Sequence, residues 1–212
     1  MKIDSLILGM VSTNCYIVSD EITKEAIVID PADQADKIIE FLEHEQLSLQ
    51  AILLTHGHFD HIMGVEELKK HFGVKVYASM AEEKLLLNPG WNCSIQIAKN
   101  VSIIADEWVE EGNQLVFGPL HLKVIETPGH TRGSICYYFE SEHVLFSGDT
   151  LFLESVGRCD LPTGNAQRLV ESVVNKLMIL PDETIVYPGH GKETSIGYEK
   201  RNNAYINGNG WD

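Results

Sequence analysis

Thr55 to His61 reads THGHFDH and follows directly on the apolar run AILL at residues 51–54. Such a run, bounded by polar residues, reads as a buried strand. Three histidines and an aspartate then stand where that strand stops. Functional groups gather at strand ends because the sheet fixes the backbone while the following loop leaves side chains accessible.

Working outward, the same arrangement recurs. LKVIETPG leads to His130, HVLFSG to Asp149 and TIVYPG to His190. A single histidine after a strand reads most simply as a polar side chain satisfied by backbone or water. That reading is poor for His56, His58, Asp60, His61, His130, Asp149 and His190 taken together. Imidazole and carboxylate suit zinc, iron or manganese, and the set contains no cysteine, which argues against a structural Cys-rich zinc site. Three or four protein ligands complete one ion, so this set points to two divalent ions with a shared carboxylate. Such a pair, about 3.5 to 4 Å apart, holds and deprotonates a water. His44, His71 and His121 lie in amphipathic or turn contexts and read as solvated or structural.

The surrounding pattern is α/β. LILGMV, NCYIVSD and EAIVIDP read as strands, the last closed by Asp30 and Pro31 as turn residues. A helix is expected over residues 35–45, where Ile38, Ile39 and Leu42 recur at helical spacing. IMGVEELKKHFG reads as one helix ended by Gly73, and VKVYAS as a strand. Ser79 to Glu82, SMAE, has the form of a capping box before EKLLL. Residues 88–100 read as loop. Later come the strand SICYYFE, the Gly-rich connection GRCDLPTGN, and a helix capped by Asn165 that carries Leu169, Val173, Leu177 and Leu180 up to Pro181. LKVIETPGH and ETIVYPGH echo each other weakly as strands running into Pro-Gly-His.

Composition narrows the class. The chain has 212 residues, 44% hydrophobic and 22% charged, which disfavours disorder and fibrous repeats. A formal charge of −15 opposes attraction to nucleic acid or an anionic membrane. No exported precursor or membrane span is evident, since the N-terminal apolar stretch is short, interrupted by Asp4 and flanked only by Lys2. The four cysteines, Cys15, Cys93, Cys136 and Cys159, contain no C-x-x-C pair, so a reducing cytoplasm with thiols as small core residues is expected. Cys159 follows Arg158, a neighbour able to lower its pKa.

In these motifs the sequence resembles the metallo-β-lactamase superfamily, whose signature T-H-x-H-x-D-H is followed by a distant His, Asp and His. The elements appear in order as THGHFDH, TPGHTRGS, SGDTLF and YPGHG, across essentially the whole chain. The resemblance implies a four-layer αβ/βα sandwich, two mixed β-sheets flanked by helices, with metals at one edge. It places His56, His58 and His130 on one ion, Asp60, His61 and His190 on a second, and Asp149 between them. Zinc is the first expectation, with iron or manganese as alternatives.

GDTLF, GRCDLPTGN and YPGHG look like the glyoxalase II branch, which hydrolyses hydroxyacylglutathione thioesters. Asp149 stands where zinc β-lactamases carry a cysteine, which points away from antibiotic hydrolysis. Full-length glyoxalase II adds a helical glutathione-binding segment after its last histidine, whereas 22 residues follow His190 here. A single domain over residues 1–212, of the short bacterial glyoxalase II-like kind without that helical domain, is therefore expected.

The implied reaction is attack of a metal-bridging hydroxide, oriented by Asp60, on a small-molecule thioester such as S-lactoylglutathione. A thiolate leaves readily because its conjugate acid has a pKa of about 8.5. The alternatives are a mononuclear iron persulfide dioxygenase and a hydrolase of other esters or lactones. An RNA phosphodiesterase fits the acidic balance poorly, and a non-catalytic metal binder fits poorly because no ligand is missing. Arg132, Arg158 and Lys192 are candidates for a substrate carboxylate, against local pairing with acids such as Asp160 or plain solvation. Tyr137, Tyr138 and Phe139 read as strand core, and Trp91 as a loop aromatic packed inward or covering the pocket. Oligomeric state is not legible.

Overall fold

The computed structural model describes residues 1–207. Its first half comprises β1 (Lys2–Leu8), β2 (Thr13–Ser19), β3 (Glu25–Ile29), α1 (Ala35–His44), β4 (Ser48–Leu53), α2 (Phe59–Ile62), α3 (Val65–Phe72), β5 (Lys75–Ser79), α4 (Glu83–Leu87) and β6 (Glu107–Val109). The second half comprises β7 (Gln114–Phe117), β8 (Leu120–Glu126), β9 (Ile135–Phe139), β10 (Val144–Gly148), the small hairpin β11 (Leu151–Phe152) and β12 (Ser155–Val156), α5 (Ala166–Ser172), β13 (Ile185–Pro188), β14 (Thr194–Ser195) and α6 (Ile196–Asn202).

Each half builds a six-stranded sheet, ordered β1-β2-β3-β4-β5-β6 and β14-β13-β10-β9-β8-β7. Both are mixed: β3 to β6 run parallel, as do β10 and β13, while the remaining neighbours are antiparallel. Side chains alternate across a strand, so each sheet has two faces to bury. The inner faces pack together through Val18, Ile27, Ile29 and Leu53 on one side and Val124, Tyr137, Phe139 and Phe146 on the other. On the outer face of the first sheet, Val28 and Ile52 meet Ile38 and Leu42 of α1 and Val65 and Leu68 of α3. On the outer face of the second, Leu145 and Val186 meet Leu169, Val173 and Ile196. The result is helix, sheet, sheet, helix, the expected four-layer sandwich.

Several local readings need correction. The strand expected at LILGMV runs earlier, ending at Leu8, because Gly9 adopts φ 72° and turns the chain into an exposed tip at Met10 and Val11. The helix expected from Ile62 to Gly73 is broken into α2 and α3. Its backbone bends to donate from Met63 and Gly64 to the carbonyls of Ala32 and Pro31, and a Cβ at Gly64 would lie 2.5 Å from the Pro31 oxygen. The loop 88–100 contains a 3-10 turn at Ser94–Ile97, and α5 continues as a π turn over Val173–Leu177. Ser79 does cap, accepting from the Ala81 amide, but Glu82 does not reach back to complete a box. The residues after His190 carry β14 and α6, whose Ile196 and Glu199 are fully buried. Among the described residues no helix is long and apolar enough to cross a membrane.

Candidate metal centre

The loops that follow β4, β8, β10 and β13 meet at one edge of the sandwich. Hydrogen bonds join the two sheets there, from the Ile135 amide to the Thr55 carbonyl at 2.9 Å and from the Tyr137 hydroxyl to the Leu54 carbonyl at 2.9 Å. The Tyr16 hydroxyl and the Asn14 amide both donate to the Pro188 carbonyl, at 2.7 and 2.9 Å. Glu82, 1% exposed, ties two of the loops: one carboxylate oxygen accepts from the Gly57 amide at 2.9 Å, the other from the Gly133 amide at 2.7 Å. The backbone that carries the functional groups is thus fixed before any ion is considered.

All seven sequence candidates converge here. His56, His58 and His130 form one buried group with ligand atoms within 4.8 Å of one another, and Asp60, His61 and His190 form a second. His58 Nδ1 lies 2.9 Å from His130 Nε2. Asp149 reaches both groups: its Oδ1 is 3.4 Å from His61 Nε2, and its Oδ2 is 3.5 Å from His130 Nε2 and 3.6 Å from His190 Nε2. Asp60 Oδ2 lies 3.2 Å from His190 Nε2 and accepts from the Thr13 hydroxyl at 2.9 Å.

Hydrogen bonds behind the imidazoles decide which nitrogen faces inward. His130 Nδ1 donates to the Arg158 carbonyl at 2.7 Å, because a carbonyl only accepts, so Nε2 is directed at the centre. Asp30 sets two more. Its Oδ2 accepts from the Thr55 hydroxyl at 2.6 Å and from His61 Nδ1 at 2.9 Å, while Oδ1 accepts from the Thr55 amide at 2.8 Å. With its proton committed to Asp30, the Thr55 oxygen accepts from His56 Nδ1 at 3.1 Å. One buried carboxylate therefore turns the Nε2 of both His56 and His61 inward. Asp30 is close enough to His56 and His61 to be a ligand itself, but its oxygens are occupied by these bonds, which makes it the orienting partner. The sequence reading took Asp30 for a turn residue. The signal for it was present, since EAIVI is also an apolar strand ending on a carboxylate.

The donor set fits divalent cations. His56 Nε2, His61 Nε2 and Asp149 Oδ1 are buried without hydrogen-bond partners, a costly state for polar atoms in a protein interior unless a cation meets them. The electrostatics agree. Burial holds His56 well below its ordinary value and lowers His130, and burial together with His130 brings His58 to about 3, so these rings stay neutral and able to bind metal. Burial pushes the Asp60 carboxyl up, but His61 and His190 outweigh it and hold the group at about 2. Asp149 is likewise held well below the usual carboxylate range by His61 and His130 against the effect of burial. Burial lowers His61, yet Asp60, Asp149 and Asp30 raise it well above 6.5 overall. The negative potential that favours a proton at its Nε2 equally favours a metal cation.

A cavity of about 550 Å³ opens over the centre, lined by His58, Asp60, His130, Asp149 and His190 and walled by Met10, Val11, Phe59, Ile97, Phe152 and Leu161. Of the three candidate substrate cations, Arg158 alone lines it, and its guanidinium donates two 2.7 Å bonds to Asp160. Arg132 lines a separate pocket with Arg168 and Asn165. Lys192 is exposed and does not line the cavity. Trp91 neither packs inward nor covers the pocket, being 41% exposed outside its walls. Cys159 carries no activated thiol: partial burial and Asp160 raise its pKa, and the neighbouring Arg158 is paired with Asp160. Tyr137, Tyr138 and Phe139 are buried as expected.

A model of the metallo-β-lactamase superfamily matches residues 8–190, and the chain belongs to that superfamily. It is 35% identical over 210 residues to the hydroxyacylglutathione hydrolase GloC of Haemophilus influenzae, covering 98% of this chain and 99% of that protein. Among solved structures it is similar to BLEG-1, described as a B3 metallo-β-lactamase, with a TM-score of 0.92 and 39% identity over 97% of this chain and 99% of that one. It is also similar to TTHA1623 in a di-iron-bound form, with a TM-score of 0.86 and 33% identity over 95% and 99% of the two chains.

Proposed function

We propose that this chain is a binuclear metal-dependent hydrolase of thioesters, with hydroxyacylglutathione compounds such as S-lactoylglutathione as the first substrates to test. The observation that carries the binuclear reading is Asp149, which turns one oxygen toward His61 of one donor group and the other toward His130 of the second. His56, His58 and His130 would hold one ion and Asp60, His61 and His190 the other, with Asp149 shared. Two divalent ions bound there, zinc first and iron second, supply an acidified water and a Lewis acid for the substrate carbonyl. Support for iron comes from the di-iron form of TTHA1623.

The chain's own groups do the positioning. Asp60, fixed by the Thr13 hydroxyl and kept ionised, accepts a hydrogen bond from the attacking water and aims it. The apolar walls exclude bulk water and strengthen each polar interaction inside. Water oxygen bonds to the acyl carbon and its two protons pass to solvent, the carbon–sulfur bond breaks, and sulfur leaves with the bonding pair and takes back one proton, so that a carboxylate, a thiol and one net proton result. A thiolate needs no acid to leave, and the described lining offers no carboxyl beyond Asp60 and Asp149. This favours a thioester over an amide.

A second reading, β-lactam hydrolysis, is favoured by the likeness to BLEG-1. The test is turnover of S-lactoylglutathione and of a penicillin by metal-loaded protein of measured metal content, beside His58→Ala. Thioester hydrolysis with two ions per chain, lost in H58A, is expected. Equal rates in parent and variant remove the proposal, as does one iron per chain with oxygen uptake on glutathione persulfide.

A further inference from the structure

We propose that this site prefers a short apolar acyl chain, housed in a side pocket beside Asp60, over a small hydroxylated acyl group such as lactoyl, which it hydrolyses less efficiently. The inference rests on the thioester reading and assigns the acyl half of the substrate. A second cavity of about 110 Å³ branches from the main one and shares Met10, Phe59, Asp60 and Ile97 with it. Met63 adds to its wall, and Asp33 and Lys99 also line it. The pocket therefore opens at the carboxylate that aims the nucleophile and is walled by two methionines, a phenylalanine and an isoleucine. Its three charged residues, Asp33, Asp60 and Lys99, sum to one negative charge, so it offers no attraction to an anionic acyl group.

Two features give these walls a preference. Met10 is 71% exposed and Val11 46% exposed, on the tip between β1 and β2 where Gly9 holds φ 72°. Large apolar side chains standing in water at the mouth of a cavity gain by being covered, at roughly 25 cal/mol for each Å² removed from water. Phe59 opens α2, the short helix that also carries Asp60 and His61, and Met63 caps its C-terminus, so pocket and donor group share one element. Against Met10, Phe59, Met63 and Ile97 a lactoyl hydroxyl would lose its hydrogen bonds to water, regaining one only where it reaches Asp33, Asp60 or Lys99. A hydrocarbon chain loses none. Methionine walls also adapt to chains of differing shape.

The experiment uses one thiol, N-acetylcysteamine, carrying acetyl, lactoyl or hexanoyl groups, with the full-length metal-loaded protein. Hexanoyl should exceed lactoyl in kcat/KM by about tenfold or more, the discrimination that added methylenes bring in an apolar pocket. Met10→Ser, at a site too exposed to affect folding, should reduce the hexanoyl-to-acetyl ratio. Lactoyl equal to or better than hexanoyl overturns the inference while leaving the hydrolase reading intact. Should no thioester be hydrolysed, that reading fails, and binding of the uncleavable thioether S-hexyl-N-acetylcysteamine decides the pocket separately. Calorimetric binding that weakens in M10S supports the apolar pocket, and absence of binding overturns it.

Discussion

Glu82→Ala tests whether a residue that touches no substrate governs the centre. Glu82 is 1% exposed, and its two oxygens accept from the Gly57 and Gly133 amides at 2.9 and 2.7 Å. Truncation leaves two buried N–H groups without acceptors, at about 1–3 kcal/mol each and so about 2–6 kcal/mol together. An opposing effect reduces this. Burial raises the Glu82 carboxyl above its ordinary 4.5 despite bonds from Thr131, Gly133 and Gly57, so the ionised form carries a desolvation cost at neutral pH that the substitution removes. The expected net loss is about 2–4 kcal/mol, read by urea unfolding of the metal-free protein. Gly57 lies between His56 and His58, and Gly133 follows His130 by three residues. Freeing both loops should therefore also weaken metal binding by about tenfold or more, measured by competition with a chromophoric chelator. Glu82→Gln retains one acceptor and should fall between parent and E82A. Stability of E82A within about 0.5 kcal/mol of the parent, with unchanged metal affinity, would refute the reasoning.

Further predictions concern groups around the donors. Asp30→Asn replaces an acceptor by an NH₂ in the position that takes bonds from Thr55 and His61, and metal affinity should drop about 10–100-fold in the same competition assay. Gly189→Ala places a Cβ 2.3 Å from Asp149 Oδ1 and 2.7 Å from His61 Cε1, so metal content measured by elemental analysis should fall although no ligand is changed. In chelated protein, Asp60 and Asp149 have folded pKa values depressed below 3.8, so their stabilisation is present above that pH and is lost as pH falls toward about 2. Thermal midpoints of the chelated protein should therefore decline across that interval, and Asp149→Asn should flatten the decline. Arg158→Ala removes an exposed ion pair and leaves the backbone carbonyl that accepts from His130, so unfolding free energy should change by less than about 0.5 kcal/mol.

What the sequence made legible follows from where each signal resides. The candidate ligands after β4, β8, β10 and β13 were readable because an apolar run and the residue ending it are local facts, and repetition made them a set. Their convergence was not local, and it came from the family resemblance. Asp30 escaped because its partners, Thr55 and His61, lie 25 and 31 positions away. Glu82 escaped for a different reason. Its spacing from Ser79 matches a capping box, and only the tertiary arrangement offers it the amides of Gly57 and Gly133 instead. The break between α2 and α3 has the same origin: helical periodicity persists through Gly64, but the Pro31 carbonyl takes its amide. Trp91 lies in an irregular segment, where pattern carries little information about direction.

The seam between the sheets has a consequence for assembly. His56, His58, Asp60 and His61 come from the first six strands, and His130, Asp149 and His190 from the last eight. Each donor group draws on both halves, so neither half on its own can complete either group. The same seam buries Ile27 and Leu53 against Tyr137 and Phe146, which would face water if the halves were apart. An ion held by donors from both halves would oppose their separation by mass action. A chelator would then act on this molecule as more than an inhibitor of the proposed reaction: it would withdraw a clasp spanning the two sheets.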